Sequence, residues 1–485
     1  MSSAACRPGT SWGVSRAFGK RVTRALGEAV STSVEDRICY SYDATDVRAM
    51  PDMVAWPRTS HDASLLLRLA AEDRVPVIPR GAGTGYTGGS LPVDGGVVLS
   101  LERMTSVKRI DADALVAVVE PGVVNETLAE AVSAEGLSYP PDPASRRVST
   151  IGGNIAECAG GPATVLHGTT RDYVAGLEVV LQSGDRVATG PLATSRRSSW
   201  DAGPLLVGSE GTLGVVTNAA LRLAHAPEAT ATYWVEFADL ESAARAVAAI
   251  VKSALPVSSL ELLDHDTYEA AHEFVLGTPP ERAVEGGLLI EVEGAREIVS
   301  GAALKLARLS EDFGAIHFRS PADETEREEI REIRRSISPS LARLATGKAN
   351  EDITVPRSKI PDFVDGMRSI GDEEGLRILS FGHAGDGNLH VNVMFDREDI
   401  AQRKCARRAV DRLFELALCL GGTLSGEHGI GITKADQLAS ELDDTALAAT
   451  AAVKRALDPD NLLNPDKILT NLPNPWWGDL DEPAC

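Results

Sequence analysis

Two histidines flank a tight turn in Gly382-His383-Ala384-Gly385-Asp386-Gly387-Asn388-Leu389-His390, and a Glu427-His428 pair stands among glycines in G-G-T-L-S-G-E-H-G-I-G. The A-G-D-G-N segment is a strong hairpin signal, with strands expected over Leu376–Phe381 before it and Val391–Phe395 after it. In such a hairpin His383 and His390 face each other across the turn. Two imidazoles plus the Glu427 carboxylate suit Zn²⁺ with positions left open for substrate, and Mn²⁺ or Fe²⁺ fit the same donors. A lone histidine is more often a core or surface residue. Spacing alone leaves a metal site and a turn-stabilising hydrogen-bond network both open.

A different chemistry is offered by P-R-G-A-G-T-G-Y-T-G-G-S, Pro79 to Ser90, which follows the apolar run Val75-Pro76-Val77-Ile78. Its glycines allow positive φ and close approach to a ligand, and successive N–H groups in such a turn form a nest for pyrophosphate. Gly83 to Gly88 satisfies G-x-G-x-x-G literally, but a dinucleotide-binding Rossmann unit needs a helix to begin there. The chain continues instead through a turn to the strand-like Val97-Val98-Leu99, so a strand–loop–strand phosphate cradle is expected. Two further clusters of small residues follow, P-P-D-P-A-S at Pro140–Ser145 leading into Thr150–Pro162, and G-S-E-G-T-L-G at Gly208–Gly214. Each alone is ordinary turn chemistry. Three glycine-rich loops in one segment point to one extended ligand touched from several sides.

The elements that must position these groups form an α+β chain. Helices are expected over Ser15–Val30, Ala63–Glu72 and Val124–Glu135, and strands over Val116–Pro121, Leu177–Gln182 and Val215–Leu223. After Ala226 the composition shifts to a second α+β region. There, strands are expected over Ala229–Phe237, Gly287–Val292 and Ile353–Pro356. Its helices are expected over Leu240–Lys252, Ala302–Phe313, Ala406–Leu420 and Glu324–Ser338, the last stopped by Pro339. The charge-dense Glu324–Arg335 stretch reads as a solvated helix face, Arg334 excepted. The Pro- and Trp-rich tail after Lys467 reads as an irregular strap.

Length and charge bound the rest. A chain of 485 residues holds two or three domains. A net charge of −22, from 48 basic and 70 acidic residues, argues against nucleic acid or anionic membrane surfaces as partners. No apolar run reaches the length of a membrane span. The six cysteines include no C-x-x-C pair, which argues against a zinc ribbon, a ferredoxin-type cluster or a thioredoxin-like site. Scattered thiols suit a reducing compartment. The expected location is the cytoplasm, with peripheral membrane contact at most, or the mitochondrion in a eukaryote. Residues 1–27 are basic, like a transit peptide, yet read better as a surface helix.

Taken together, these motifs resemble those of the flavin-dependent D-2-hydroxyacid dehydrogenases of the vanillyl-alcohol oxidase type, over roughly Tyr40 to Thr470. That family includes D-lactate dehydrogenase, the flavin subunit of glycolate oxidase and D-2-hydroxyglutarate dehydrogenase. The motifs carrying the resemblance are P-R-G-A-G-T-G-Y-T-G-G, P-P-D-P-A-S, G-G-N-I-A-E-C-A-G-G, G-T-T-R-D-Y-V-A-G-L-E-V-V, G-S-E-G-T-L-G, G-H-A-G-D-G-N-L-H and S-G-E-H-G-I-G. It implies a two-lobed FAD-binding domain of the PCMH type over 48–226, after an N-terminal helical segment at 1–47. A substrate-binding α+β cap with a C-terminal segment returning to the flavin would span 227–470, leaving a tail at 471–485.

By the same resemblance, Gly81, Gly83, Thr84, Gly85, Thr87 and Gly88 cradle the pyrophosphate. Pro141, Asp142, Ser145, Gly152, Gly153, Asn154 and Ala156 line the flavin, with Glu210 and Gly211 nearby. Relatives with covalent flavin use a histidine in the first loop; Tyr86-Thr87 stands there instead, so FAD is expected to be non-covalent. Cys158 stands where many relatives carry asparagine. His383, His390 and Glu427 become the ligands of a divalent metal, zinc or manganese, and His428 the catalytic base. Arg334 holds the substrate carboxylate, with Ser338 one turn later and Asn392 also in contact with substrate; Lys348 or Asn350 falls near a further substrate-binding lysine of the hydroxyglutarate enzyme.

The reaction implied is oxidation of a D-2-hydroxyacid to the 2-oxoacid. The hydroxyl proton passes to the base and the C2 hydride to FAD. Electrons then leave to a quinone or to a partner protein: an electron-transfer flavoprotein, a cytochrome or an iron–sulfur subunit. A homodimer is left open. The alternatives are a non-redox transferase of the same fold, like alkyl-dihydroxyacetone-phosphate synthase, and an FAD-carrying electron-transfer subunit.

Overall fold

The computed structural model describes residues 13–45, 47–190, 201–280, 282, 284–470 and 477. The chain divides into two compact units. Among the described residues, the first gathers those up to Ala159, then Thr169–Ala226 and those from His428 onward; the second comprises Gly160–Gly168 and Pro227–Glu427.

In the first unit, helix α1 (Arg16–Leu26) begins at a Ser15 cap whose Oγ accepts the Phe18 N–H. It is not the wholly surface helix expected, because Phe18 and Val22 are fully buried. They join a core with α2 (Ser60–Asp73), whose Leu66, Leu67 and Ala70 recur at helical spacing and whose N-terminus carries a complete Thr59/Asp62 capping box.

Strands β1 (Val30–Ser31), β2 (Met53–Ala55), β3 (Val77–Arg80) and β4 (Val97–Ser100) form a sheet in the order β1-β2-β4-β3. Its β3 and β4 run parallel, in the register Val77↔Val97 to Arg80↔Ser100. The glycine-rich loop is the connection between them, so the strand–loop–strand arrangement holds and no helix begins at the glycines.

A second, antiparallel sheet follows. Its strands are β5 (Val107–Asp111), β6 (Val116–Val119), β7 (Val174–Val180), β8 (Arg186–Thr189) and β9 (Val215–Arg222), ordered β5-β6-β9-β7-β8. Its inner face packs on α3 (Asn125–Ser133) and α4 (Ile151–Glu157) through Leu128, Val132, Ile151 and Ile155. Helix α4 corrects an expectation: Thr150–Pro162 is not one glycine-rich loop. Thr150 caps a helix that carries Gly152 and Gly153 in its first turn. Small residues allow this close packing, since a Cβ on Gly152 would lie 2.6 Å from the Pro121 side chain.

The second unit is a seven-stranded antiparallel sheet. Along the chain it comprises β10 (Ala229–Phe237), α5 (Leu240–Lys252), β11 (Val257–Asp264), α6 (His265–Leu276), β12 (Gly286–Gly294), α7 (Arg296–Asp312) and β13 (Ala315–Arg319). Then come α8 (Glu324–Arg335), α9 (Ile337–Leu341), β14 (Gly347–Thr354), α10 (Ile360–Glu374), β15 (Arg377–Gly382), β16 (Asn388–Phe395) and α11 (Ile400–Cys419). Strand order is β13-β10-β12-β11-β15-β16-β14. Every residue of β11 and β16 is buried, because helices cover both faces of the sheet.

Two expectations need correction here. The strand expected over Ile353–Pro356 is β14, ending before Pro356 and beginning six residues earlier, at Gly347. The helix expected over Glu324–Ser338 ends at Arg335. Pro339 does not stop it; the proline lies in the first turn of α9, where its missing N–H costs no intrahelical bond. Helix α12 (Asp444–Leu457) belongs to the first unit. The expected C-terminal strap falls largely outside the described residues, although Trp477 is buried. Among the described residues, no helix is long and apolar enough to cross a membrane.

Candidate active site

In the second unit, antiparallel register sets which side chains share a face. Phe381 pairs with His390, His390 with Asp352, and Asn392 with both Leu379 and Asn350. Leu263 pairs with Phe381, which places Glu261, two residues earlier on β11, on that face as well. The middle of the face is apolar, with Trp234, Leu289, Leu263, Leu379 and Phe381 packed under Ile330, Ile333 and Ile337. Beside it the face turns polar.

The β15–β16 hairpin carries His383 at its turn. Three consecutive amides, those of Asp386, Gly387 and Asn388, donate to the His383 carbonyl. Gly387 takes φ +96° where a Cβ would lie 2.2 Å from the Val355 carbonyl oxygen, so the turn needs glycine there. The buried rings of His383 and His390 stand edge to face with centroids 5.1 Å apart.

Glu427 completes the group. Its Oε1 lies 3.4 Å from Nε2 of each histidine. The three donor atoms lie within 4.8 Å of one another, close enough to hold one metal ion. The loop bearing Glu427 is fixed by fully buried Asp352, whose Oδ2 accepts the Gly426 and Glu427 amides at 2.8 and 2.6 Å and the Ser425 hydroxyl at 3.0 Å. Gly426 leaves no room for a side chain, because a Cβ would meet Thr354 Oγ1 and the Asn388 amide.

Glu261, buried among apolar strand residues, bridges two cationic partners. Its Oε1 lies 2.5 Å from His383 Nδ1 and its Oε2 accepts Arg334 Nε at 2.5 Å. Burial alone would raise the Glu261 carboxyl, yet Arg334 and His383 overcome it and hold the group below the ordinary carboxylate range. Burial likewise disfavours a charged His383, but the Glu261 and Glu427 carboxylates raise it well above the ordinary histidine value. Bound metal would replace that proton. Arg334 also stacks over Phe381, 5.3 Å from the ring centroid. Asn392 is fully buried with its amide donating to the His390 carbonyl and its Oδ1 without a partner. Ser338 is not on the helix of Arg334; it stands exposed on α9. Lys348 and Asn350 alternate along β14 on the His390 face, Asn350 directly opposite Asn392.

In the first unit, the expected cradle residues come together around the glycine-rich loop and α4. A Cβ on Gly81 would sit 2.5 Å from Thr150 Oγ1, and one on Gly88, at φ +76°, would sit 2.6 Å from Ile432. Asn154, 3% exposed, has an Nδ2 without a partner. The glycines let the loop pack tightly on its neighbours, and the orphaned buried amide of Asn154 beside it fits a polar group of a cofactor. Pro141 is tied in by Asn125, whose Nδ2 donates to its carbonyl at 3.1 Å, and the Ser145 carbonyl accepts the Val148 and Ser149 amides. Thr87 Oγ1 donates to the His428 carbonyl at 3.3 Å, and the Tyr86 ring lies 4.9 Å from the His428 ring. Glu210, at φ +50°, spends its carboxylate on the Ile430 and Gly431 amides at 2.7 and 2.8 Å, and burial raises its pKa. Gly211 follows at φ +69° against Pro79.

The family profile of FAD linked oxidases, C-terminal domain, matches residues 226–468, and that of an FAD binding domain matches residues 51–190. The chain belongs to the FAD-linked oxidases. It is 40% identical over 434 residues to the glycolate oxidase subunit GlcD of Bacillus subtilis, covering 89% of this chain and 92% of that one. It is 31% identical to the D-lactate dehydrogenase of Anaerostipes hadrus, covering 88% and 91%. Solved structures share the fold at lower identity. p-Cresol methylhydroxylase with substrate bound matches with a TM-score of 0.77 at 17% identity, over 94% of this chain and 98% of that one. Alkyldihydroxyacetonephosphate synthase matches at 0.73 and 19% identity, over 96% and 87%. This FAD-linked oxidase therefore has the vanillyl-alcohol-oxidase-type fold and is an FAD-dependent oxidoreductase.

Four residues that organise this oxidase escape the motif reading. Glu261 stands between leucines in V-S-S-L-E-L-L-D and Asp352 precedes Ile353 in G-K-A-N-E-D-I-T, and an acid set inside a strand beside core-forming residues is the signal that finds them. Asn464 and Lys467, in N-L-L-N-P-D-K, are buried and donate to the backbone of the glycine-rich loop, Asn464 to Gly89 and Lys467 to Leu91.

Proposed function

We propose that this FAD-linked oxidase oxidises a D-2-hydroxyacid of the glycolate, lactate or 2-hydroxyglutarate class to the 2-oxoacid, with FAD held non-covalently and a divalent cation at His383, His390 and Glu427. The supporting observation is the donor set itself, two buried histidines and a half-buried glutamate, with Arg334 tied to one of the histidines through Glu261. The names of the relatives, glycolate oxidase and D-lactate dehydrogenase, point to the same substrate class. When bound, FAD supplies the two-electron acceptor and the cation supplies a Lewis acid at the substrate hydroxyl.

The chain's residues do the rest. Arg334 pairs with the substrate carboxylate; its Nε is committed to Glu261, which leaves the guanidinium's two terminal nitrogens for a bidentate contact. Asn392 presents an unpartnered amide oxygen to substrate. His428 takes the hydroxyl proton on its imidazole nitrogen. Tyr86-Thr87 stands in the glycine-rich loop where a covalent tether would need histidine. The "subunit" in the name of the Bacillus subtilis relative favours a partner protein as the route by which electrons leave.

An anaerobic visible spectrum titrated with D- and L-2-hydroxyacids tests the reading. One D-acid is expected to bleach the flavin band; failure of the whole panel would sink it. His428→Ala should keep the flavin band and slow its bleaching by about 10²–10⁴-fold.

A further inference from the structure

We infer that Glu261 is a positioning residue that sets both halves of the substrate site in the second unit: the ligating nitrogen of His383 and the direction of the Arg334 guanidinium. This rests on the metal-site reading above. Glu261 Oε1 meets His383 Nδ1 at 2.5 Å, so the ring donates through Nδ1 and turns Nε2 toward Glu427 Oε1, 3.4 Å away. A histidine whose outer nitrogen donates to a carboxylate is fixed in tautomer and orientation, and becomes a stronger ligand. Glu261 Oε2 takes Arg334 Nε at 2.5 Å, and the Phe381 ring beneath the guanidinium limits its rotation further.

The carboxylate is fully buried, its side chain 1% exposed, so water cannot substitute for either partner. A carboxamide in its place offers one acceptor oxygen where two are needed. If that oxygen keeps Arg334, the NH2 group faces His383 Nδ1 as a donor, which moves the ring proton to Nε2 and blocks the ligating nitrogen. Cation affinity and carboxylate recognition are thereby joined at one residue that touches neither ligand.

The test is Glu261→Gln in the chelator-stripped, FAD-loaded enzyme, with Mn²⁺ or Zn²⁺ binding followed by calorimetry. Affinity is expected to fall by about 10–100-fold, the usual effect of losing such a partner, while flavin content stays at the wild-type level. Glu261→Asp keeps the buried charge but is one methylene too short to span both partners. It should show the same direction of loss, and it serves if the glutamine variant does not fold. Wild-type cation affinity in either flavin-loaded variant overturns the assignment to Glu261 alone. Absence of cation binding by the wild-type enzyme overturns the metal-site reading and this inference together. Arg334→Met leaves the Glu261–His383 contact in place and should weaken the cation by less than threefold; a loss as large as that of Glu261→Gln would show general disruption of the face and overturn the positioning role.

Discussion

Asp264 shows how one buried carboxyl makes a folded chain answer to pH. It caps α6 through the Thr267 amide at 2.8 Å and also accepts the Ser380 amide. Burial outweighs these bonds and pushes its pKa from 3.8 up to about 6. A raised carboxyl stabilises the fold while it is protonated. That contribution is fully present below about pH 4 and is lost as pH rises through about 6, a swing of about 3 kcal/mol. An asparagine in its place would keep an N-cap without the titration. Thermal melts of Asp264→Asn against wild type should therefore shift in the variant's favour between pH 4 and pH 7, and a difference that does not change with pH would reject the argument. Residues of this kind are poorly legible in a sequence. His383, His390 and Glu427 announce themselves because glycine-rich turns surround them; Glu261 does not, because its role comes from strand pairing that brings β11 beside β15 across more than a hundred residues of chain.

At the scale of elements, the β15–β16 hairpin is a geometric device more than a sequence of candidate ligands. Gly387→Ala places a methyl at φ +96° and 2.2 Å from the Val355 carbonyl oxygen. Gly277→Ala meets the same kind of backbone, φ +75°, with nothing within 4 Å. The second should cost about 1–2 kcal/mol of backbone strain alone. The first should cost more than the second and also weaken cation binding, which calorimetry and melting of the pair will separate. Equal losses would mean that the Val355 contact is irrelevant. Hairpin signals and apolar periodicity made most of these elements legible: β10 and α5 fall where periodicity puts them. The misreadings came where tertiary packing overrode local chemistry. Thr150 to Glu157 is glycine-rich yet helical, because Ile151 and Ile155 dock on a sheet and Gly152 fits under Pro121. Ser336 ends α8 three residues ahead of Pro339.

At the scale of the molecule, the chain leaves its first unit at Ala226 and returns to it at His428, one peptide bond after Glu427. What returns is structural as well as chemical. Asn464 Nδ2 donates to the Gly89 and Glu210 carbonyls at 2.8 and 2.7 Å, and Lys467 Nζ to the Leu91 carbonyl at 2.9 Å. Removing the Asn464 amide strands two buried acceptors at about 1–3 kcal/mol each. Asn464→Ala should therefore purify with less bound flavin and weaken FAD at least tenfold, read by fluorescence on titrating the apoprotein. Retention of full affinity would confine Asn464 to general stability. No local pattern reveals these contacts, since their partners lie hundreds of residues away.

The same feature sets a timetable for synthesis. Gly89 and Asn464 are separated by 375 residues, which a ribosome takes roughly 20–75 s to add. Throughout that interval the nascent glycine-rich loop lacks the Asn464 and Lys467 contacts, and for most of it the Ile432 contact, that hold it in the finished chain. The full set of contacts that fixes the loop is therefore complete only when nearly the whole chain has been made.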